Sequence, residues 1–79
     1  MNQEIKSKIK QIIIDKNGVR PEKVTDEANF KEDLGMDSLE CMELIIEIED
    51  EFSISVPDDE AVKVSNLSDC VALVEKHLK

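Results

Sequence analysis

Apolar residues recur at helical spacing along most of this 79-residue chain, and no other feature limits its fold so tightly. Ile5, Ile9, Ile12 and Ile13 fall at i, i+4, i+7 and i+8, the buried face of a helix over residues 3–16. Lys6, Lys8 and Lys10 take its solvent side, Ile14 falls opposite the stripe, and Asn17-Gly18 ends it, since either residue tolerates a left-handed backbone. Cys41, Leu44, Ile45, Ile48 and Phe52 share one face of a second helix over 38–52. Leu67, Cys70, Val71, Val74 and Leu78 make the stripe of a last helix over 66–78, capped by Ser65 or Asn66. Residues 53–64 hold a short helix with Pro57 at its first position; Asp58, Asp59 and Glu60 complement its N-terminal dipole. The expectation is an all-α four-helix bundle with three longer helices, one short helix and a long loop between helices one and two. That loop, residues 19–36, lacks a period, and Val19, Val24, Phe30 and Leu34 tack it onto the core.

A chain of this length forms one domain, residues 1–79, and buries only about 60% of the surface its unfolded form exposes. It builds a small core and no deep enzyme cleft. With two Phe and neither Trp nor Tyr, that core is aliphatic. Cys41 and Cys70 lack metal-ligand spacing and read as buried thiols rather than a disulfide. No apolar run approaches the roughly 20 residues that span a bilayer, and Met1-Asn2-Gln3-Glu4 carries no secretory apolar region. A cytoplasmic monomer is the expectation. The net charge of -9 is unevenly spread: residues 41–60 hold eight acids and no Lys or Arg, whereas residues 1–20 are net basic. An acidic middle argues against nucleic acid and anionic membranes, and for basic protein partners. Such a surface also keeps a small protein soluble.

The irregular segment meets the acidic helix at Asp33-Leu34-Gly35-Met36-Asp37-Ser38-Leu39-Glu40. Gly35 permits a tight turn. Asp37 reads as an N-cap, and Glu40, three residues on, completes a capping box. Ser38 is then the first helical residue, its hydroxyl at a helix N-terminus where an anionic group such as a phosphate is favoured. The same residues also suit an ordinary helix start. Further along, Glu40, Glu43, Glu47 and Asp50 share one strip of the helix, flanked by a strip of Leu39, Met42 and Ile46. A helix in a simple bundle needs one apolar face, so the second apolar strip is either a wide core contact or a docking surface with a charged rim. An enzyme with Ser38 as nucleophile and His77 as base is a weaker reading, because a nucleophile needs a base within hydrogen-bond reach. The acidic helix also suits an unmodified adaptor that binds basic partners.

Phe30, Glu32-Asp33-Leu34-Gly35, Asp37-Ser38-Leu39, Glu43-Leu44, the acidic run to Phe52, and Val56-Pro57-Asp58-Asp59-Glu60-Ala61 occur in an order and spacing that resembles the acyl carrier proteins. The resemblance covers nearly the whole chain. It implies that Ser38, within the Asp37-Ser38-Leu39 attachment motif, carries a 4'-phosphopantetheine arm whose thiol holds an acyl group as a thioester. A phosphopantetheinyl transferase would install the arm from coenzyme A. It also implies docking of partner enzymes on Glu40, Met42, Glu43, Ile46, Glu47, Glu49 and Asp50. Those partners are acyl-processing enzymes with basic patches: synthases, reductases, dehydratases and acyltransferases. The acidic second helix resembles that of the free-standing carriers of fatty acid synthesis; related lipid or polyketide synthesis, and aminoacyl or peptidyl carriers, are the alternatives. Met36 stands where Ala is frequent and Val62 where an acid is common, departures that leave the pathway open between general and dedicated synthesis.

Overall fold

The computed structural model describes residues 3–78. Four α-helices follow in order among them: α1 (Gln3–Asn17), α2 (Ser38–Phe52), α3 (Asp58–Ala61) and α4 (Leu67–His77). A single 3-10 turn over Pro21–Lys23 interrupts the long connection between α1 and α2, a feature its lack of period concealed. No helix among the described residues is long and apolar enough to cross a membrane.

The helices pack by the apolar faces their periods define. Ile9 and Ile13 from α1, Leu44 and Ile48 from α2, and Leu67, Cys70, Val71 and Val74 from α4 are fully buried in one cluster. Burying each of these aliphatic side chains contributes about 1.5–3 kcal/mol. Several placements differ from expectation. Ile14 is half-buried against the core because the long loop wraps over that side of α1. Leu78 caps α4 in an extended conformation and is exposed, while Leu73 is buried under α3 instead. Pro57 is the N-cap of α3, at φ -60 and ψ 144, rather than its first helical residue.

The loop delivers the chain to α2 through a few buried anchors. Val24, Phe30 and Met36 are almost wholly inside the main cluster, with Val19 and Leu34 packed against it. Met36 lay outside the expected core set. Backbone bonds tie the loop to the start of α4: Phe30 N–H donates to Ser65 O at 2.8 Å and Ser68 N–H to Asp26 O at 3.1 Å. Lys6 on α1 pairs with Asp26 at 2.6 Å. The α4 start is itself fixed by Asn66, whose Oδ1 accepts Asp69 N–H at 2.8 Å. The short α3 rests on a separate small cluster of Ile45, Val56, Ala61 and Leu73.

Candidate functional site

Gly35 adopts φ +70, a left-handed turn that nothing but its own backbone demands, since a Cβ there would meet open space. Met36 N–H then donates to Phe30 O at 2.9 Å, and the Met36 side chain enters the core. With its approach fixed on both sides, the chain turns into α2 at Asp37. Asp37 Oδ1 accepts Glu40 N–H at 2.8 Å, and Glu40 Oε1 accepts Asp37 N–H at 3.0 Å. This reciprocal box satisfies two of the orphan donors at the helix start. Ser38 is the first residue of α2 and is exposed.

Ser38 stands at the mouth of a cleft of about 340 Å³ between the loop, α2 and α3. Cys41, Met42 and Ile45 from α2 face Ala61, Val62 and Val64 across it, so its walls are mainly apolar. The volume lies at the low end of small-molecule pockets. Burial raises the Cys41 thiol above its usual pKa, opposed by the Lys31 ammonium; Asp37 and Glu40 add to the rise. Burial pushes the Cys70 thiol up much further.

The second apolar strip of α2 is not core. Leu39 is 68% exposed, Ile46 60% and Met42 41%. Across the cleft, Val62 at the end of α3 is 72% exposed and adds to the apolar surface at its rim. Glu43, Glu47 and Asp50 are exposed beside the strip, and no other described residue engages them. The other two acids of the expected docking set are occupied within the fold. Glu40 serves the capping box. Glu49 is half-buried, and its Oε2 accepts Val56 N–H at 2.8 Å, tying the end of α2 to the segment before α3. Helical spacing puts Glu49 on α2 but cannot reveal a partner seven residues ahead.

Ser38 and His77 are not brought together. His77 Nε2 bonds Glu60 Oε1 at 2.9 Å, and Lys76 Nζ approaches Glu60 Oε2 at 3.2 Å, clipping α3 to the end of α4. These partners, His77 first and Lys76 second, hold the Glu60 carboxyl below its usual pKa. No histidine lines the Ser38 cleft among the described residues, so His77 is not placed as a base for that hydroxyl. Sequence reading assigned Glu60 only to the acidic turn and missed this clip, because nothing local relates residues 17 apart.

Comparison with known proteins agrees with this geometry over nearly the full length. The family model for the phosphopantetheine attachment site matches residues 7–74. A solved structure of the acyl carrier protein from Enterococcus faecalis, described for its high thermal stability, superposes with a TM-score of 0.80 at 32% identity, over 95% of each chain. The match runs from α1 to α4 and includes the long loop that presents Ser38. An exposed hydroxyl at the mouth of an apolar cleft also fits a tethered phosphodiester whose distal part is apolar or carries an apolar load. This chain belongs to the acyl carrier proteins, the family that bears a covalent 4'-phosphopantetheine.

Proposed function

We propose that Ser38 is the attachment residue and that the protein carries acyl intermediates for fatty acid synthesis, or for a related lipid or polyketide pathway, with no chemistry of its own. The observation that carries this is the position of the Ser38 hydroxyl: exposed, on the first turn of α2, at the mouth of the apolar cleft. Asp37 and Glu40 fix the backbone of the helix start, so Ser38 is presented at a defined place to an incoming enzyme. Ser38 Oγ attacks the pantetheine-side phosphorus of coenzyme A, the pyrophosphate P–O bond breaks, adenosine 3',5'-bisphosphate leaves, and the hydroxyl proton goes to a base of the transferase. When bound, the arm supplies a thiol that holds the acyl group as a thioester. Cys41, Ile45, Ala61 and Val64 shelter apolar cargo, each buried CH₂ contributing about 0.8 kcal/mol at best.

Leu39, Met42 and Ile46, rimmed by Glu43, Glu47 and Asp50, form the docking face for the transferase and for basic patches of acyl-processing enzymes. An enzyme that acts at the end of an arm on Ser38 must approach α2. Glu40 and Glu49 support this face from within the fold rather than by contact with partners.

The test is incubation with coenzyme A and a broad-specificity phosphopantetheinyl transferase, read by intact mass and peptide mapping. Wild type gains one adduct, mapped to Ser38. Ser38→Ala gains none, with its helical circular dichroism unchanged. Loading of Ser38→Ala to the wild-type extent would overturn the assignment, and a wild type that never loads would return the chain to the adaptor reading.

A further inference from the structure

Acids crowd the turn that leads to Ser38: Glu32, Asp33, Asp37 and Glu40 all lie within six residues of it. Lys31 is the one basic side chain lining the cleft at whose mouth Ser38 stands, among the described residues. Its backbone is pinned. Asn29 Oδ1 accepts the N–H groups of Lys31 and Glu32, both at 2.9 Å, and Asn29 N–H donates to Asp33 Oδ2 at 2.7 Å. Immediately before it, Phe30 is buried and bonded through its backbone to both Ser65 and Met36. The turn therefore fixes the backbone from which the Lys31 side chain reaches the cleft.

Three of these four carboxylates are engaged elsewhere, Glu32 being the exception. Asp33 serves Asn29, and Asp37 and Glu40 serve each other's backbone. The ion pairs among the described residues are Lys6–Asp26 and the two on Glu60, so the Lys31 ammonium is in none of them. It is nonetheless close enough to Cys41, one turn beyond Ser38, to draw that thiol's pKa down against burial. A cation lining a cleft that also opens at Ser38, in a region otherwise acidic, is suited to a single compact anion at that hydroxyl.

We propose that Lys31 is the counter-ion of the phosphodiester on Ser38, holding the base of the arm against the cleft mouth instead of free in solvent. The proposal rests on Ser38 being the attachment residue. Its physical content is an offset: loading adds one negative charge to a turn already rich in acids, and Lys31 cancels the local repulsion. The pair is near the surface, so its effect is modest and weakens with salt.

The experiment compares apo and loaded forms of wild type, Lys31→Gln, Lys31→Arg and Lys63→Gln. Lys63 lies at the end of α3, outside the cleft lining, and controls for net charge. Peptide mapping first locates the adduct. At low salt, loading lowers the melting temperature of Lys31→Gln by about 2–4 °C more than that of wild type. Lys31→Arg and Lys63→Gln behave as wild type. The ³¹P resonance of the loaded protein shifts in Lys31→Gln at low salt, and the two proteins converge at high salt. If Lys31→Gln loads on Ser38 and matches wild type in both melting shift and ³¹P resonance, Lys31 is not the counter-ion. An adduct on a residue other than Ser38 overturns the attachment reading instead.

Discussion

Cys41 and Cys70 both project from apolar faces, yet their surroundings separate them. Cys70 is fully buried among α1, α2 and α4, and the cost of placing a thiolate there raises its pKa strongly. Cys41 is half-buried at the cleft, where Lys31 partly offsets the burial. The two thiols, expected from sequence to be alike and slow, should label in sequence: one equivalent from Cys41 under native conditions, and the second only in denaturant. Cys41→Ser should remove the faster phase, and equal native rates for both would contradict this burial pattern. Glu60 offers a second test. Its folded pKa is depressed, so the clip to His77 and Lys76 stabilises the fold fully above the ordinary carboxylate value. That contribution is lost as pH falls through the lower folded value. Chemical denaturation of Glu60→Gln should therefore show a shallower loss of stability on acidification below about pH 5 than wild type does.

Each face of α2 has a different task. Leu44, Ile45 and Ile48 face the core, and truncating Leu44 to Ala would cost about 2–5 kcal/mol. Ile46 faces solvent and Met42 lies at the open rim of the cleft, so Met42→Ala should change the melt little while speeding dissociation from the transferase, at a cost of about 1–2 kcal/mol of binding. Glu43→Lys should slow association and weaken its salt dependence, because a rim charge acts on encounter. Stopped-flow binding at two salt concentrations separates these effects. Lys8→Glu on α1 is the control: if it disrupts binding while Glu43→Lys does not, docking uses α1 instead. Helix α3 is a different kind of element. Four residues long, it is held by a small cluster and by the Glu60 clip, so it is the wall of the cleft that yields at least cost.

Across the molecule, the acids of α2 and α3 face no basic residue on either helix, and the described ion pairs engage only Glu60 among them. Like charges on adjoining elements repel when the chain compacts. The melting temperature should rise as NaCl is added from low ionic strength, and rise further with Mg²⁺ at matched ionic strength. A melting point flat across salt would show that these acids are solvated well enough not to matter. On α1 the Lys8 ammonium lies 6.0 Å from the Phe52 ring centroid, at the end of α2 away from Ser38.

Most features that depend on neighbours within one or two turns were legible in residue order, the cap position of Pro57 and the short 3-10 turn being exceptions. The bounds of α2, the Asp37–Glu40 box and the apolar faces of the three long helices are of this kind, since a helix's period and cap are local chemistry. At Ser38 local chemistry gave only a helix start, and the attachment motif came from the resemblance to the acyl carrier proteins. Features that depend on which segment lies across a gap were not legible. Ile14 and Leu78 exchanged their expected exposures, and Met36 joined the core, because the loop and α3 decide what each helix edge meets. Glu49 and Glu60 find partners 7 and 17 residues away, and Lys31 reaches the Ser38 cleft through a turn pinned by Asn29. Helical period sets the direction of a side chain from its own axis; only packing brings a second element into its path.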